Sequence, residues 1–359
     1  MKRRVILILI AVLPLFLLLR ALAQAPNARI TGFTAPNTDS AGRKAVIKGD
    51  AEPAGAGIYT IRKLHIDNYR ADGQLDSTID SSECLFDYKG THDVWSDKDL
   101  TLKTIDARLL LKGVGFRFSN SHLTISNKVD ALMRRQALVE VAVGRTNNAA
   151  ANTDDFLRVT SDRMEYFVDA LTFYGRVHVI DAQGEVQCET LKVKLGEKNA
   201  LQEVEALDEV ILKQGETEAR GRRAIYSPNS GLLRLYENTR WKMGDREGRS
   251  ELLILDRTNN TLRAETKVSM TLPSSLLATN APGEKSAHTS TSTNKLTISA
   301  DTFDYARTNT VTHGPIAIFN GAVHAVDPQA TLDCELLTIF FNHTNRLARA
   351  VADRNVLIT

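Results

Sequence analysis

Residues Leu157–Tyr166 read L-R-V-T-S-D-R-M-E-Y, and the chain repeats this stretch as L-T-I-S-A-D-T-F-D-Y at Leu296–Tyr305. Three further segments follow each copy in the same order. In the first copy they are F-Y-G-R-V-H-V-I-D (173–181), C-E-T-L-K-V-K-L (188–195) and V-I-L-K (210–213), and in the second F-N-G-A-V-H-A-V-D (319–327), C-E-L-L-T-I-F-F (334–341) and V-L-I-T (356–359). Such recurrence indicates stacked structural units.

Apolar and polar residues alternate with a period of two inside each copy, which is typical of β-strands. Two weaker copies lie between the strong ones, at Ala219–Tyr236 and Ser250–Ala264. The sequence therefore predicts an all-β protein of stacked short antiparallel strands, in two or more modules with one continuous apolar face.

Chain length and net charge limit the number of domains and the classes of function that are expected. A chain of 359 residues exceeds one ordinary small core, so two or three domains are expected. The formal net charge is only +2, and no basic patch with interleaved aromatic residues is present. Nucleic-acid binding is therefore not predicted.

The first 23 residues have the features of a targeting segment. Lys2, Arg3 and Arg4 precede the apolar run Val5–Leu19, and Ala21-Leu22-Ala23 fits a cleavage site. The run is short for a spanning helix, although Arg20 is able to snorkel. A signal peptide or an N-terminal membrane anchor is expected, and either one sends the rest of the chain across a membrane.

Composition predicts the remaining domain limits. Residues 28–137 form a first β domain of short strands and polar turns, with an irregular alternation in Tyr59–Tyr69 that predicts a bulge. Residues 138–156 are a linker and 157–272 a repeat module. Residues 273–294 are rich in Ser and Thr with little to bury, which predicts a disordered insertion before the second repeat module at 295–359.

Catalytic signatures are missing from the sequence. It has no G-x-S-x-G and no H-E-x-x-H. His178 and His324 occupy matching repeat positions, as do the acidic pairs Asp162/Glu165 and Asp301/Asp304. Because an active site is built once rather than once per repeat, these residues are predicted to face solvent or shape turns. No catalytic residue, metal site or cofactor is predicted.

The three cysteines, Cys84, Cys188 and Cys334, lie in strand-like runs without a C-x-x-C pair. They are predicted to be small buried residues. A disulfide between Cys188 and Cys334 stays open as an alternative in an oxidising compartment.

The apolar face is the feature most informative about function. It either fills a dry solenoid core or lines an open groove, and alternation does not distinguish the two. The groove candidates are Leu157, Val159, Met164, Tyr166, Phe173, Val177, Val179, Leu191, Val193, Leu195, Val210 and Leu212 in the first copy, and Leu296, Ile298, Phe303, Tyr305, Phe319, Val323, Leu337, Ile339, Phe341, Val356 and Ile358 in the second.

The repeat resembles the OstA/LptA-type periplasmic domain of the lipopolysaccharide transport (Lpt) system. The motifs that carry the resemblance are Ser161–Tyr166 with Gly175–Val179, and Ala300–Tyr305 with Gly321–Ala325. The first domain is similar to the LptC type, through S-S-E-C-L-F-D-Y (81–88), D-A-R-L-L-L-K-G-V-G-F-R-F (106–118) and L-T-I-S-N-K-V (123–129).

This resemblance implies a twisted β-jelly roll in the periplasm of a Gram-negative envelope, whose apolar groove shields the acyl chains of lipid A. It implies modules that join through edge strands, here Val356, Leu357, Ile358 and Thr359, with self-association through sheet edges. Its partners are lipopolysaccharide and other Lpt components, including an inner-membrane ABC transporter that supplies energy. Two rival hypotheses are a filled β-solenoid that only binds partners and a carbohydrate-active enzyme on a β-helix.

Overall fold

The computed structural model describes residues 29–38, 42–134, 156–167, 169–196, 201–273, 295–306, 314–342 and 346–359. All of the regular structure in these ranges is β, in 21 strands with antiparallel pairing, and the predicted fold class is confirmed. The chain divides into two compact units, Met1–Asn127 (unit 1) and Lys128–Thr359 (unit 2).

Unit 1 is a meander in which each strand pairs with the next from β1 to β6. Its core contains a row of residues that lie opposite one another on β2 to β6, all with no exposed surface: Ile47, Ile66, Ile79, Leu102 and Leu111. The strands are β1 (Ile30–Thr38), β2 (Lys44–Gly55), β3 (Ile58–Tyr69), β4 (Leu75–Asp87), β5 (Val94–Thr104), β6 (Leu109–Ser119) and the first part of β7 (His122–Arg134).

The irregular alternation in β3 is a bulge, as the sequence predicts. Lys63 has a φ of +53°, and the pairing of β2 with β3 shifts between Lys48 and Asp50. The shift lets both Ile61 and Leu64 point into the core.

Unit 2 contains the repeats. Its strands are the second part of β7, β8 (Phe156–Ser161), β9 (Arg163–Phe167), β10 (Ala170–Asp181), β11 (Gly184–Leu195), β12 (Leu201–Gln214), β13 (Thr217–Ser227), β14 (Leu232–Met243), β15 (Arg246–Asp256), β16 (Thr261–Pro273), β17 (Lys295–Ala306), β18 (Ile316–Val326), β19 (Thr331–Phe341), β20 (Leu347–Asp353) and β21 (Leu357–Ile358). Strands β10 to β19 pair in chain order, and both β20 and β21 pair with β19.

Each strand from β10 to β19 bends near its middle, where the pairing register shifts. Strands β10, β12, β14, β16 and β18 bend at two successive residues with positive φ: Gly175-Arg176, Asp208-Glu209, Glu237-Asn238, Thr266-Lys267 and Gly321-Ala322. Their neighbours β11, β13, β15, β17 and β19 place a small residue at the bend: Cys188, Gly221, Ser250, Ala300 and Cys334. Bulges of this kind bend strands and increase twist.

The bends divide unit 2 into two half-sheets that face each other across an apolar interior. Half-sheet A holds the strand segments that end at the turns near residues 182–183, 215–216 and 244–245. Half-sheet B holds those that end near 228–231 and 257–260. The ring of Trp241 in half-sheet A stacks on Phe303 in half-sheet B, with a centroid distance of 6.3 Å.

The cysteines are small bend residues rather than a redox pair. All three thiols are free and buried. Burial raises the pKa of Cys84 and Cys188 to about 12 and also raises the pKa of Cys334. Cys188 and Cys334 lie on β11 and β19, eight strands apart, which is about 38 Å at 4.8 Å per strand. A disulfide between them is out of reach.

Candidate functional site

The structure places all but three of the groove candidates in the buried interior of unit 2. Leu296 is half-buried, while the side chains of Val356 and Ile358 are 47% and 69% exposed. Their sequence counterparts Val210 and Leu212 are buried because β12 pairs on both sides, with β11 and β13. The described pairings of the last strand are all with β19.

The free ends of the two half-sheets meet along a line that we call the seam. The pairings among the described strands include none that crosses it, so side chains hold it closed. At one point Arg257, after β15, donates hydrogen bonds from Nη1 and Nη2 to Asp181 at the end of β10, at 3.1 and 2.9 Å. The side chains of Arg257 and Asp181 are only 11% and 6% exposed. This ion pair is therefore largely desolvated.

A second arginine closes the seam farther along. Arg246 begins β15 in half-sheet A and is buried, with its guanidinium carbon 3.9 Å from the ring centroid of Phe341 and 5.8 Å from that of Tyr305. Both rings belong to half-sheet B. The contact is a cation–π interaction, which strengthens when it is desolvated.

Two small cavities lie beside these contacts. One of about 50 Å³ is enclosed by Leu157, Val179 and Val186 on one side and by Leu201, Leu233 and Arg257 on the other. The second, of about 110 Å³, lies between Met243 and Tyr305. Each has room for a few water molecules at most. Most inward side chains of the described strands are buried, and both of these cavities lie at the seam.

The recurring acidic motif residues shape the bend. The backbone N–H of Asp162 donates to the carbonyl of Gly175 at 3.1 Å, and Arg176 donates from Nε to the Asp162 carboxylate at 3.0 Å. The hydrogen bond from Arg176 lowers the pKa of Asp162. The side chain of Asp301 packs in the same way against Gly321. Both motif aspartates are therefore structural.

The paired histidines also have ordinary strand partners. His178 Nε2 lies 2.8 Å from a carboxylate oxygen of Glu185, and His324 Nδ1 lies 2.7 Å from one of Asp333. No group of three or more His, Cys, Asp or Glu side chains in the described ranges is arranged to hold a metal ion.

Sequence reasoning missed the residues that close the seam. Asp181 and Arg257 are 76 positions apart, and Asp181 ends β10 while Arg257 lies in the turn after β15. The inward position of Arg246 could have been predicted from the sequence. Arg246 is two residues from Gly248 and four from Ser250, so strand alternation places all three on the inward face. Asp181 was visible only as the last residue of a repeated segment, and in the structure its Oδ1 accepts the N–H groups of Gln183 and Gly184.

The last strand is the other notable feature of unit 2. Four apolar side chains on β20, β21 and the residues around them are between 40% and 69% exposed: Val351, Val356, Leu357 and Ile358. Thr359 exchanges backbone hydrogen bonds with Thr331, which holds the terminal residues against β19.

Within the described ranges, no helix is long and apolar enough to cross a membrane. The predicted signal peptide or anchor (1–23), most of the predicted linker (138–156) and nearly all of the predicted insertion (273–294) lie outside the described residues.

The chain is similar to the crystal structure of LptH, the LptA homologous periplasmic component of the conserved lipopolysaccharide transport device from Pseudomonas aeruginosa. The identity is 16% and the TM-score 0.29, over 31% of this chain and 82% of that chain. No curated protein matches the chain.

A family match covers the first repeat copy and both weaker copies up to β16. Residues 158–261 match the family described as LptA/(LptD N-terminal domain) LPS transport protein. The matched segment contains Asp162, Gly175 and Asp181, and its end reaches Arg257. The similarity to this family of lipopolysaccharide transport proteins therefore covers residues 158–261 of the 359-residue chain.

Proposed function

We propose that this chain is a periplasmic lipopolysaccharide-transport protein whose unit 2 shields lipid A acyl chains between its half-sheets. The observation that carries the proposal is the seam. The half-sheets enclose an apolar interior along ten strands, and side chains rather than backbone ladders close its open side. The half-sheets can part there without the loss of a described strand pairing.

The energetic need for such an interior is large. Exposing an acyl chain of about ten methylenes to water costs roughly 8 kcal/mol at about 0.8 kcal/mol per CH₂. An acyl chain that packs against the inward side chains of the two half-sheets stays out of water, so this cost is avoided. Entry requires the seam to open, and the Asp181–Arg257 and Arg246–Phe341 contacts are the ones that must break.

Unit 1 is the proposed LptC-like domain. Its support is the motif order in 81–88, 106–118 and 123–129, which falls on β4, β6 and β7. In this proposal the chain performs no catalysis, and other Lpt components, including an inner-membrane ABC transporter, supply cargo and energy.

The last strand is the proposed joint of the bridge toward the outer membrane. Exposed apolar side chains on an edge strand invite a further strand to pair. Deleting residues 354–359 should abolish self-association or capture by other Lpt components, as measured by size-exclusion chromatography. Unchanged assembly would contradict the joint but not the lipid-binding interior.

Lipid binding is tested by the purified chain itself. After expression in a bacterium that makes lipopolysaccharide, mass spectrometry under native conditions should detect a glycolipid bound to the protein. A chain that never carries glycolipid, and does not bind lipid A added in detergent, would favour the alternative function, a filled β-solenoid that binds partners only. The packed interior with its small cavities is the observation that favours this alternative.

A further inference from the structure

Three arginines lie side by side on the outer face of half-sheet A. Arg220 of β13 is opposite Arg240 of β14, and Arg240 is opposite Arg249 of β15. All three are exposed. Side chains directly opposite in an antiparallel pair lie about 5 Å apart, where like charges destabilise the sheet. We call these residues the arginine row.

Several other basic side chains on the outer face of unit 2 have acidic partners. Ion pairs join Arg223 to Glu205 at 2.7 Å, Lys213 to Glu185 at 2.9 Å and Arg158 to Asp130 at 2.9 Å. In the arginine row, Arg220 pairs with Glu218 at 2.8 Å. The ion pairs of the described residues include none for Arg240 or Arg249. Two of the three guanidinium groups in the row therefore lie side by side without an ion-pair partner among the described residues.

The row lies in a shallow groove of about 770 Å³ that also holds Lys242, Glu218 and Glu247. Four cationic side chains therefore face two carboxylates. The hydroxyl groups of Ser269, Thr271 and Thr297 line the neighbouring strands of the same groove. Guanidinium groups bind phosphate oxygens in a bidentate manner, and hydroxyl groups add further donors. This combination fits a ligand with phosphate groups.

The groove is close to the seam. Arg240 is three residues from Met243, and Arg249 is three residues from Arg246, at the end of half-sheet A. Three residues of strand span about 10 Å. A ligand whose apolar part enters the seam beside Arg246 can therefore reach the row with a polar head that folds over this end of the sheet.

We propose that the arginine row binds the phosphate groups of the glycolipid whose acyl chains occupy the interior. This inference rests on the proposed function and adds a head-group site to it. The interior binds the acyl chains, while the arginine row binds the phosphorylated sugars on the outer face of half-sheet A.

The test compares two forms of one glycolipid. Binding of the full chain to diphosphoryl lipid A in detergent is measured beside binding to the same lipid A after phosphatase treatment. The wild type should bind the phosphorylated form about tenfold more tightly, the order expected for a charge-assisted contact. R240Q and the double variant R220Q/R249Q should lose this preference, and raised salt should weaken it in the wild type.

The control is R234Q, which removes the same charge from β14 at a position opposite Ile225 and Ile254. It should keep the full preference, and R240K should keep part of it. Equal binding of both lipid forms by the wild type would overturn the head-group site and leave the proposed function intact. Binding of neither form would overturn both. If inorganic pyrophosphate binds the row as tightly as the glycolipid does, the row is a free-phosphate site and the head-group assignment is wrong.

Discussion

Asp162 packs so closely against Gly175 that a Cβ atom at position 175 would collide with its carboxylate. A Cβ atom there would lie 2.7 Å from Asp162 Oδ2, and Gly175 has a φ of +72°. The same relationship recurs between Asp301 and Gly321, where a Cβ would lie 2.3 Å from the carboxylate. The repeated aspartate and glycine of the motif thus pack against each other at the same bend.

G175A should therefore destabilise unit 2 more than a backbone cost alone. An L-residue with positive φ costs about 1–2 kcal/mol, and the contact with Asp162 adds to this. G215A is the matched control, because Gly215 has a φ of +57° and open space around it. Urea unfolding in a W95F background, where Trp241 reports on unit 2, measures both. Equal losses in the two variants would contradict the packing argument.

The seam contact between Asp181 and Arg257 should behave as a coupled, desolvated pair. Removing one member leaves the other charge buried without a partner. R257A and D181A should therefore each destabilise unit 2 by about 3–5 kcal/mol. The double variant should lose much less than the two single losses together. R263A is the control, since its pair with Glu265 is exposed, and it should cost about 0.5 kcal/mol. Additive losses would show that the pair does not close the seam.

His65 should make unit 1 less stable as pH rises above the ordinary histidine pKa of about 6.5. Its hydrogen bond with Asp80 raises the pKa of His65, and a second one with Asp67 adds to the increase although burial opposes it. Protonated His65 therefore stabilises the fold below the unfolded pKa of about 6.5. That contribution disappears as pH rises through the higher folded pKa.

Urea unfolding between pH 6 and pH 8.5, in a W241F background where Trp95 reports on unit 1, measures this. H65Q should flatten the decline in the free energy of unfolding with pH. If the free energy of unfolding declines with pH equally in H65Q and the wild type, groups other than His65 cause the decline.

Much of the fold follows from the sequence because strand alternation determines which face each residue occupies. It placed Phe173, Val193 and Phe319 inside, where each is at most 1% exposed. Repetition also indicated that Asp162 and His178 serve the strands, since each recurs with its neighbours. The bend residues were visible as Gly175 and Gly321, although their positive φ was not.

Register and long-range contacts did not follow from the sequence. The one-residue register shift at each bend decides that Arg220, Arg240 and Arg249 lie in one row, and alternation carries no information about that shift. The contact between Asp181 and Arg257 depends on how strongly the strands bend, because the bend brings the ends of the two half-sheets together. Val356 and Ile358 matched buried residues of the first copy, yet they are exposed because burial depends on a neighbouring strand as well as on the residue.

The central claim is that acyl chains lie between the half-sheets, and photo-crosslinking tests it most directly. Benzoylphenylalanine replaces Phe319, which points inward with no exposed surface, or its outward neighbour Ile318, in cells that make lipopolysaccharide. The account predicts that position 319 captures lipopolysaccharide on irradiation and position 318 does not, with inward positions 173 and 193 behaving like 319. Capture at none of the inward positions, or equal capture at 318 and 319, would contradict it.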